Sequence, residues 1–250
     1  MKIRVLGCGG SFGSPLAWGR NGNIDVNNPH NFRTRSSVLI NNNNQNILID
    51  TSPDLRDQLY KAKCTKIDAV LFTHEHSDHT AGLPDMRAMS LINQSIIPSY
   101  LSADIYDSMI SNYKYIFKGV KDYSPFMTAN LIQDSFFIGD NKIETFKHNH
   151  GSIDVQTYRI NNFAYSTDLK KFYENDIDKL KNLDLWIVGL LRYDSHPSHA
   201  GFDQILEYIN YLKPKKTLFT HMTALLDQED LLSKCPENVG PAHDGLEINL

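Results

Sequence analysis

An apolar run that ends in a cluster of metal-capable side chains is the feature that most constrains this chain. Residues 69–82 read AVLFTHEHSDHTAG, in which His74, His76, Asp78 and His79 follow the apolar run directly. Side chains at positions i and i+2 of an extended segment point the same way, so the first two histidines can bind one ion. Mixed imidazole and carboxylate ligands suit Zn²⁺, Mn²⁺ or iron rather than Ca²⁺, which takes oxygen ligands. The spacing therefore predicts a metal site at a strand end.

The other polar residues of this array have different predicted roles. Glu75 is out of phase with its neighbours, so we expect it to support the ligands or to face solvent. Ser77 is a candidate cap for a short helix. The tight turn there would carry Asp78 and His79 to a position beside the first pair of histidines.

Short apolar runs separated by turn residues dominate the chain, and their Val, Ile, Leu and Phe content predicts β-strands. Helices are predicted over residues 52–63, 102–117 and 199–213, the last of which stops before Pro214. This order suggests two sheets packed face to face with helices outside, in one domain over residues 1–250. The predicted strands are residues 2–6, 37–41, 46–50, 69–73, 185–189 and 216–221.

Composition argues against several classes of protein. A formal net charge of −4 over 250 residues gives no electrostatic basis for a nucleic-acid scaffold. The three cysteines are far apart, which argues against a disulfide framework or a cysteine-rich zinc knuckle. The N-terminal apolar run is too short for a signal peptide, and residues 183–191 are too few to span a bilayer. We therefore expect a cytoplasmic protein without nucleic-acid or membrane partners, either a monomer or a homodimer.

The array and four further segments together resemble the metallo-β-lactamase superfamily of hydrolases. LID lies upstream of the array at residues 48–50, and FKHNHGS, FAYSTD and TLFTHM follow it at residues 146–152, 163–168 and 217–222. The superfamily has a histidine, an aspartate and a final histidine at the ends of these later strands. The resemblance covers nearly the whole chain and implies an αββα sandwich, in which two mixed β-sheets pack together and helices cover the outer faces.

This resemblance implies two divalent metal ions, Zn²⁺ or Mn²⁺. His150 fits the third histidine because Gly151 follows it, although His148 is a competitor two positions earlier on the same strand face. Asp168 would bridge the two ions, and Asp50 would support the site without binding metal. The implied first site is His74, His76 and His150, and the implied second site is Asp78, His79 and His221.

The glycine-rich segment near the N-terminus distinguishes two kinds of phosphate-binding protein. Residues 7–15 read GCGGSFGSP, but Phe12 stands where a dinucleotide-binding fingerprint needs its third glycine, and no helical pattern follows. The segment instead resembles the phosphoribosyl cyclic phosphodiesterase branch of the superfamily, as does RTRSS at residues 33–37. This branch implies that a small cyclic phosphodiester is opened by a hydroxide shared between two ions, with Asp78 and Asp168 as catalytic ligands.

Several polar residues outside the ligand set are candidates for substrate binding. His199, directly before a predicted helix, resembles the histidine that donates a proton or contacts the phosphate in phosphodiesterases of the superfamily. His196 is a second candidate nearby. Guanidinium and hydroxyl groups also suit phosphate recognition, and four such residues lie at the entrance of a predicted strand. These four are Arg33, Arg35, Ser36 and Ser37.

Two other functions would use the same ligands. A ribonuclease Z-like enzyme would process RNA, but such enzymes grip tRNA with a flexible basic arm. The chain has no long Gly- and Lys-rich insertion, and its charge balance is acidic. A protein similar to PqqB would keep the fold and the metals for cofactor biosynthesis or binding, without hydrolysis. The intact set of histidines and aspartates favours hydrolysis, so a phosphodiesterase is the predicted function.

Overall fold

The first β-sheet contains the strand that leads into the metal-capable array. A computed structural model of the chain describes residues 1–17, 19 and 21–250. Strand pairs in this sheet are antiparallel on one side and parallel on the other, so the sheet is mixed. In spatial order its described strands are β15 (Glu247–Asn249), β1 (Lys2–Gly7), β2 (Ser37–Asn42), β3 (Gln45–Ile49), β4 (Ala69–Leu71), β5 (Ile97–Leu101) and β6 (Met127–Leu131).

The second sheet is also mixed. Strands β10 (Phe163–Ser166), β12 (Leu185–Gly189), β13 (Thr217–Thr220) and β14 (Val239–Pro241) run parallel. Strands β8 (Asn141–His150) and β9 (Ile153–Ile160) pair antiparallel, as do β9 and β10. An additional strand, β7 (Ser135–Ile138), pairs with β8. In spatial order the described strands are β11 (Lys171–Phe172), β8, β9, β10, β12, β13 and β14.

Helices cover both outer faces. Four of them bury apolar residues in one cluster with the first sheet, and two others do so with the second sheet. In the part of the chain that the structure describes, no helix has the length and apolarity needed to cross a bilayer. The first group is α1 (Leu55–Lys61), α3 (Met86–Asn93), α4 (Ala103–Asn112) and α5 (Lys114–Phe117); the second is α6 (Phe202–Leu212) and α7 (Gln228–Lys234); the short α2 (Ser77–Thr80) carries part of the array.

Side-chain alternation along β3 explains why this sheet is buried on both faces. Ile47 and Ile49 join the core between the two sheets, whereas Leu48 joins the core beneath the helices. Successive side chains of a strand point to opposite faces, so an uninterrupted apolar run suits a strand covered on both sides. The predicted αββα sandwich of two mixed sheets is therefore confirmed. That a single domain spans residues 1–250 stays a prediction.

Two predicted helices begin later than their sequence pattern indicates. The helix predicted from residue 52 begins at Leu55, because the Ser52 hydroxyl accepts a hydrogen bond from the Asp54 amide and closes a turn. The helix predicted from residue 199 begins at Phe202, after an N-cap at Gly201. The helix predicted over residues 102–117 is divided between α4 and α5.

The candidate ligands converge on one edge of the sandwich. His150 is the last residue of β8, Asp168 follows β10 by two residues, and His221 follows β13 directly. The array begins three residues after β4, and Asp50 follows β3 directly. Because β3 and β4 are parallel, as are β10 and β13 with β12 between them, their carboxyl ends meet at the same edge. This edge is where ligands commonly bind in sheets with parallel strands.

The two-sided burial of β3 gives a test of the fold. Leu48→Ala removes a fully buried side chain beneath the helices, so we expect the free energy of unfolding to fall by about 2–5 kcal/mol. Leu91→Ala in α3 is the matched control, because Leu91 is 66% exposed and its replacement should change stability by no more than about 0.5 kcal/mol. Urea unfolding followed by circular dichroism measures both. Equal effects of the two substitutions would contradict the assignment of Leu48 to the core.

Candidate metal centre

The first group of ligands consists of three histidines. His74 Nε2 lies 2.9 Å from His76 Nδ1, so the two ring nitrogens face one point. A nitrogen of His150 joins them, and the three ligand atoms lie within 4.8 Å of one another. His74 and His150 are buried, whereas His76 is exposed. The group therefore opens to solvent on the side of His76.

A second group lies beside the first. Asp78 and His79 are both in the short helix α2, which turns them toward His221 at the end of β13. His79 Nε2 and His221 Nε2 lie 3.3 Å and 3.2 Å from Asp78 Oδ2. Ser77 is the first residue of α2 rather than its cap, a position that His76 takes instead. Helix α2 places Asp78 and His79 beside His221, and the division of the array into two metal sites stays a prediction.

Asp168 lies between the two groups. Its Oδ2 atom is 3.2 Å from His79 Nε2, and its Oδ1 atom is 3.3 Å from His221 Nε2 and 3.7 Å from His150 Nε2. The Thr167 hydroxyl donates a hydrogen bond to Oδ2 at 2.7 Å, which fixes the orientation of the carboxylate. One carboxylate thus faces ligands of both groups, the position that a bridging ligand would take.

Burial and neighbouring charges act against each other here. Burial lowers the pKa of His74 well below its ordinary value, with a contribution from His79. Burial also disfavours charge on His79, but Asp50 and Asp168 outweigh it and raise the pKa of His79 well above its ordinary value. Burial likewise disfavours ionised Asp168, yet His221 and His79 hold the pKa of this carboxyl well below its usual range. Buried carboxylates therefore attract positive charge to this centre.

This donor set fits divalent metal ions. Among the described residues, His79 Nε2 and His221 Nδ1 are buried nitrogens without a hydrogen-bond partner, although carboxylates surround the first of them. Buried polar atoms normally have partners, so an orphaned imidazole nitrogen facing carboxylates is explained by an ion. Imidazole and carboxylate ligands suit zinc, manganese and iron. The described His and Asp residues could therefore hold metal in the groups that the sequence indicates.

Asp50 orients one histidine from each group. Its Oδ2 atom accepts hydrogen bonds from His79 Nδ1 at 2.7 Å and from the Thr73 hydroxyl at 2.8 Å. Because the Thr73 hydroxyl proton is used there, its oxygen accepts from His74 Nδ1, 3.0 Å away. Both imidazoles then carry their proton on Nδ1 and present the Nε2 lone pair to the centre. Burial raises the pKa of Asp50 despite the nearby His79.

His150 and His148 differ in what remains for a metal. His150 Nδ1 donates to the Ser198 carbonyl at 2.8 Å and leaves Nε2 free. His148 Nε2 donates to the Thr167 carbonyl at 2.8 Å, so its Nδ1 accepts from Thr157 Oγ1 at 2.9 Å. Burial lowers the pKa of His148 to about 4. Both nitrogens of His148 are used inside the sandwich, which favours His150 as the ligand.

Three residues of the centre adopt the left-handed backbone conformation, which is disfavoured for residues that have a Cβ atom. Asp50, Asp168 and His221 have φ angles of 60°, 52° and 59°, in the left-handed region. Asp, Asn and His tolerate this region better than most other residues do. All three occur within two residues of a strand end, so these turns aim each side chain inward from the edge. Non-glycine residues in such conformations cluster at functional sites.

Ser36 and Ser37 hold two of these turns, and their role in substrate binding stays a prediction. The Ser36 hydroxyl accepts from the His221 amide at 3.1 Å and donates to the Gly9 carbonyl at 3.0 Å. The Ser37 hydroxyl contacts the carbonyl of Asp50 at 2.9 Å. Both serines are buried, and their hydroxyls bond to the backbone.

Arg33 is likewise bound to other parts of the chain, and its role in substrate binding stays a prediction. Its side chain is 2% exposed, and its guanidinium donates to the carbonyl of Leu226 at 2.7 Å and to Asn31 Oδ1 at 3.0 Å. Arg35 is half-buried and pairs with Asp54 at 3.1 Å, at the wall of a cavity of about 670 Å³. Arg35 does not join the metal-capable groups, and its role in substrate binding stays a prediction.

The histidines of the segment after β12 lie beside the centre. His199 Nε2 is 3.9 Å from Asp168 Oδ1, and the ring centroids of His199 and His150 are 4.7 Å apart. Burial lowers the pKa of His199 to about 3. His199 does not directly precede α6, because Gly201 caps that helix, so the helix dipole is not the reason for its position. His196 is half-buried beside it, with Nδ1 2.9 Å from the Ser198 hydroxyl.

Threonines that precede ligands are residues that the sequence reasoning missed. Thr73 and Thr167 connect Asp50 and Asp168 to the centre, as described above, and the Thr220 hydroxyl lies 3.2 Å from that of Ser36. The repeated Thr-His and Thr-Asp pairs at strand ends are the signal that could have identified them. Glu75 is exposed and accepts a hydrogen bond from Ser108 of α4, consistent with its predicted exclusion from the ligands.

The hydrogen bonds of His148 and His150 predict that replacing these two histidines has different effects on the metal content of the protein. We expect His150→Gln to lower the metal bound per chain, because it removes the Nε2 ligand. His148→Gln is the matched control two positions earlier, and we expect it to keep the wild-type metal content. Elemental analysis after reconstitution with Zn²⁺ measures both, with circular dichroism to verify folding. Loss of metal in folded His148→Gln alone would reverse the assignment.

Asp50→Asn separates orientation of the ligands from their identity. In the wild type, one carboxylate oxygen of Asp50 accepts from the Thr73 amide and the other accepts from the Thr73 hydroxyl and from His79 Nδ1. The Asn side chain has only one acceptor oxygen, so at least one of these hydrogen bonds is lost. We expect metal affinity to fall about 10–100-fold with all ligands still present. Competition with a chromophoric chelator measures this affinity. An unchanged affinity would show that Asp50 does not orient the histidines.

The chain matches a known family over the part that contains these ligands. The family model described as a β-lactamase superfamily domain matches residues 45–222. Among curated proteins, an octanoyltransferase from Porphyromonas gingivalis is 32% identical over 254 residues, which cover 99% of this chain and 51% of the relative. The chain therefore spans about half the length of that relative.

Solved structures of similar proteins agree with this family. A diphosphatase from the PhnP family is 29% identical, with a TM-score of 0.90 over 100% of this chain and 97% of that chain. Zn²⁺-bound PqqB from Methylobacterium extorquens is 17% identical, with a TM-score of 0.78 over 100% of both chains. The short form of human tRNase Z is 18% identical, with a TM-score of 0.72 over 100% of this chain and 99% of that one. At such low identity the last two show the shared fold alone. With the family match over its ligand-bearing residues and this likeness to a PhnP-family structure, the chain belongs to the metallo-β-lactamase superfamily, in its PhnP-like branch.

Proposed function

We propose that this protein is a phosphodiesterase that acts on a small substrate with two divalent metal ions. The observation that carries the proposal is the set of overlapping metal-capable groups that meet around Asp168. Two ions in such an arrangement supply Lewis acidity to phosphoryl oxygens and lower the pKa of water. His74, His76 and His150 would hold one ion, and Asp78, His79 and His221 the other, with Asp168 contributing to both.

The residues of the chain itself orient the candidate ligands of this centre. Asp50 and the Ser198 carbonyl hold three imidazoles with their Nε2 lone pairs turned inward. Because burial and orientation are set by the fold, little rearrangement is needed when ligand groups bind. The exposed side of His76 leaves an opening toward solvent, through which a substrate would reach the centre.

His199 is the residue that we propose to contact the substrate directly. Its Nε2 atom lies 3.9 Å from Asp168 Oδ1, so a phosphoryl group bound beside that carboxylate is within reach of the imidazole. It would hydrogen-bond the phosphate or protonate the leaving oxygen, a contribution typically of about 10²–10⁴-fold. His196 would contribute to binding at the rim, where its ring centroid is 5.7 Å from that of His199.

The chemical class of the substrate is supported by the PhnP-like branch. A small cyclic phosphodiester, such as a ribose 1,2-cyclic phosphate, is the substrate that the sequence motifs favour. The similar solved structure is that of a diphosphatase, so a diphosphate is the second phosphorylated substrate to test. The octanoyltransferase relative makes an octanoyl thioester the relevant substrate outside phosphoryl chemistry.

The proposal is tested by turnover of a panel of substrates. Protein reconstituted with Zn²⁺ or Mn²⁺ is expected to cleave bis(p-nitrophenyl) phosphate and a ribose 1,2-cyclic phosphate. It should be less active on an octanoyl thioester and on a tRNA precursor. Preferred cleavage of the tRNA precursor would identify a ribonuclease Z-like enzyme instead. A metallated protein that cleaves none of these substrates would favour the PqqB-like alternative of binding without hydrolysis.

His199→Ala distinguishes a substrate contact from a metal ligand. We expect this variant to keep its metal content and to lose about 10²–10⁴-fold in kcat on bis(p-nitrophenyl) phosphate. His79→Ala is expected to lose both metal and turnover. His30→Ala is the control, because His30 is exposed and stacks on His243 outside the metal-capable groups. Loss of metal from His199→Ala would make His199 a ligand and would contradict its proposed role.

A further inference from the structure

The segment that carries His199 has little regular structure of its own. Residues 195–199 form a tight turn, in which the His196 amide donates to the His199 carbonyl at 2.9 Å and the His199 amide donates back at 3.2 Å. Helix α6 starts only at Phe202, so neither a helix nor a long strand fixes the backbone of the turn. The position of the His199 side chain therefore depends on contacts between this turn and neighbouring elements.

Lys170 supplies contacts of this kind. It follows Asp168 by two residues, and its ammonium group donates to the Ser195 hydroxyl at 2.8 Å, to the His196 carbonyl at 2.6 Å and to the His199 carbonyl at 3.4 Å. A lysine ammonium has three donors, and all three are directed to the same turn. Hydrogen bonds from a charged donor are stronger than those between neutral groups.

Lys170 is not held by an acidic partner. Within residues 1–17, 19 and 21–250, no carboxylate lies at ion-pair distance from its Nζ atom. Other lysines of the surface do form ion pairs with aspartates, among them Lys179, Lys181 and Lys215. The side chain is half-buried. Long charged side chains are normally free to move in water. The Lys170 side chain is instead bound to one hydroxyl and two carbonyl oxygens, which indicates a specific role.

The same turn also contacts a ligand of the first group. The Ser198 carbonyl accepts from His150 Nδ1, the bond that leaves His150 Nε2 free for metal. Gly151 permits this approach, because a Cβ atom there would lie 3.0 Å from Ser198 Cβ and its φ angle is +72°. The turn therefore lies between Lys170 on one side and His150 on the other.

We infer that Lys170 is a positioning residue, which fixes the 195–199 turn so that His199 faces Asp168 and the Ser198 carbonyl faces His150. The backbone around Lys170 reinforces this connection. The Ala200 amide donates to the Leu169 carbonyl at 2.6 Å, and the Lys170 amide donates to the Asn149 carbonyl at 2.8 Å. The segments that carry Asp168, His150 and His199 are thus joined around one lysine. The catalytic consequence rests on the proposed function of His199, whereas the ordering of the turn does not.

Lys170→Met tests the inference, because it keeps the length of the side chain and removes the three donors. Hydrogen exchange is expected to become about tenfold faster, or more, at the amides of His196 and His199, with the exchange of β8 and β12 unchanged. Lys170→Arg should restore slow exchange in part, since it retains charged donors. Lys171→Met is the matched control, because Lys171 is the exposed neighbour of Lys170. In this variant the amides of the 195–199 turn should exchange at the wild-type rate.

Kinetics supply the second readout. On bis(p-nitrophenyl) phosphate, Lys170→Met is expected to lower kcat about 10–100-fold with a smaller change in KM and with wild-type metal content. Unchanged exchange at His196 and His199 would overturn the inference, and so would faster exchange throughout the protein, which indicates a role in general stability. A loosened turn with wild-type kcat would also overturn it. An inactive wild-type protein would contradict the proposed function alone, because hydrogen exchange still decides whether Lys170 orders the turn.

Discussion

The buried carboxylate of Asp50 is the interaction on which the centre depends. It lies at the end of β3, and it accepts hydrogen bonds from His79 directly and from His74 through the Thr73 hydroxyl. One carboxylate therefore sets the tautomer of a histidine in each ligand group. A fully buried carboxylate is costly unless hydrogen bonds satisfy it, so the parallel pairing of β3 with β4, which brings Thr73 to Asp50, is a condition for both groups.

The fold could be predicted, and so could the convergence of the candidate ligands, because the information for both is largely local. Strands such as residues 185–189 are apolar runs bounded by turns, and the first four ligands are neighbours in sequence. Among the residues that support the candidate ligands, the resemblance predicts Asp50, and the position of Thr73 directly before His74 could have identified that threonine. Ser36 and Ser198 could not be predicted, because they act on residues brought near by sheet pairing and loop packing. A serine looks the same in the sequence whether its hydroxyl faces a substrate or a buried carbonyl. For the same reason the sequence does not show that Arg33 is buried among carbonyls.

The start of α6 shows a second limit of local patterns. The apolar spacing from Phe202 onward is helical, and nothing in the residues before it marks the true boundary except Gly201. Residues 195–199 instead bond to one another and to Lys170, contacts that the sequence does not reveal. This difference changes the physical account of His199. Its position comes from a turn held by a lysine rather than from the end of a helix.

The strained turns show how orientation of the ligands is built into the chain. Asp50, Asp168 and His221 each hold a left-handed conformation that costs a side-chain-bearing residue about 1–2 kcal/mol. Hydrogen bonds donated by the Ser37 and Thr167 hydroxyls, and one that the Ser36 hydroxyl accepts from the His221 amide, accompany these turns and offset the cost. Because such supports belong to the sandwich, they orient the candidate ligands without selecting a substrate. Selectivity must then come from groups at the open side, of which His196 and His199 lie on a turn with its own separate anchor.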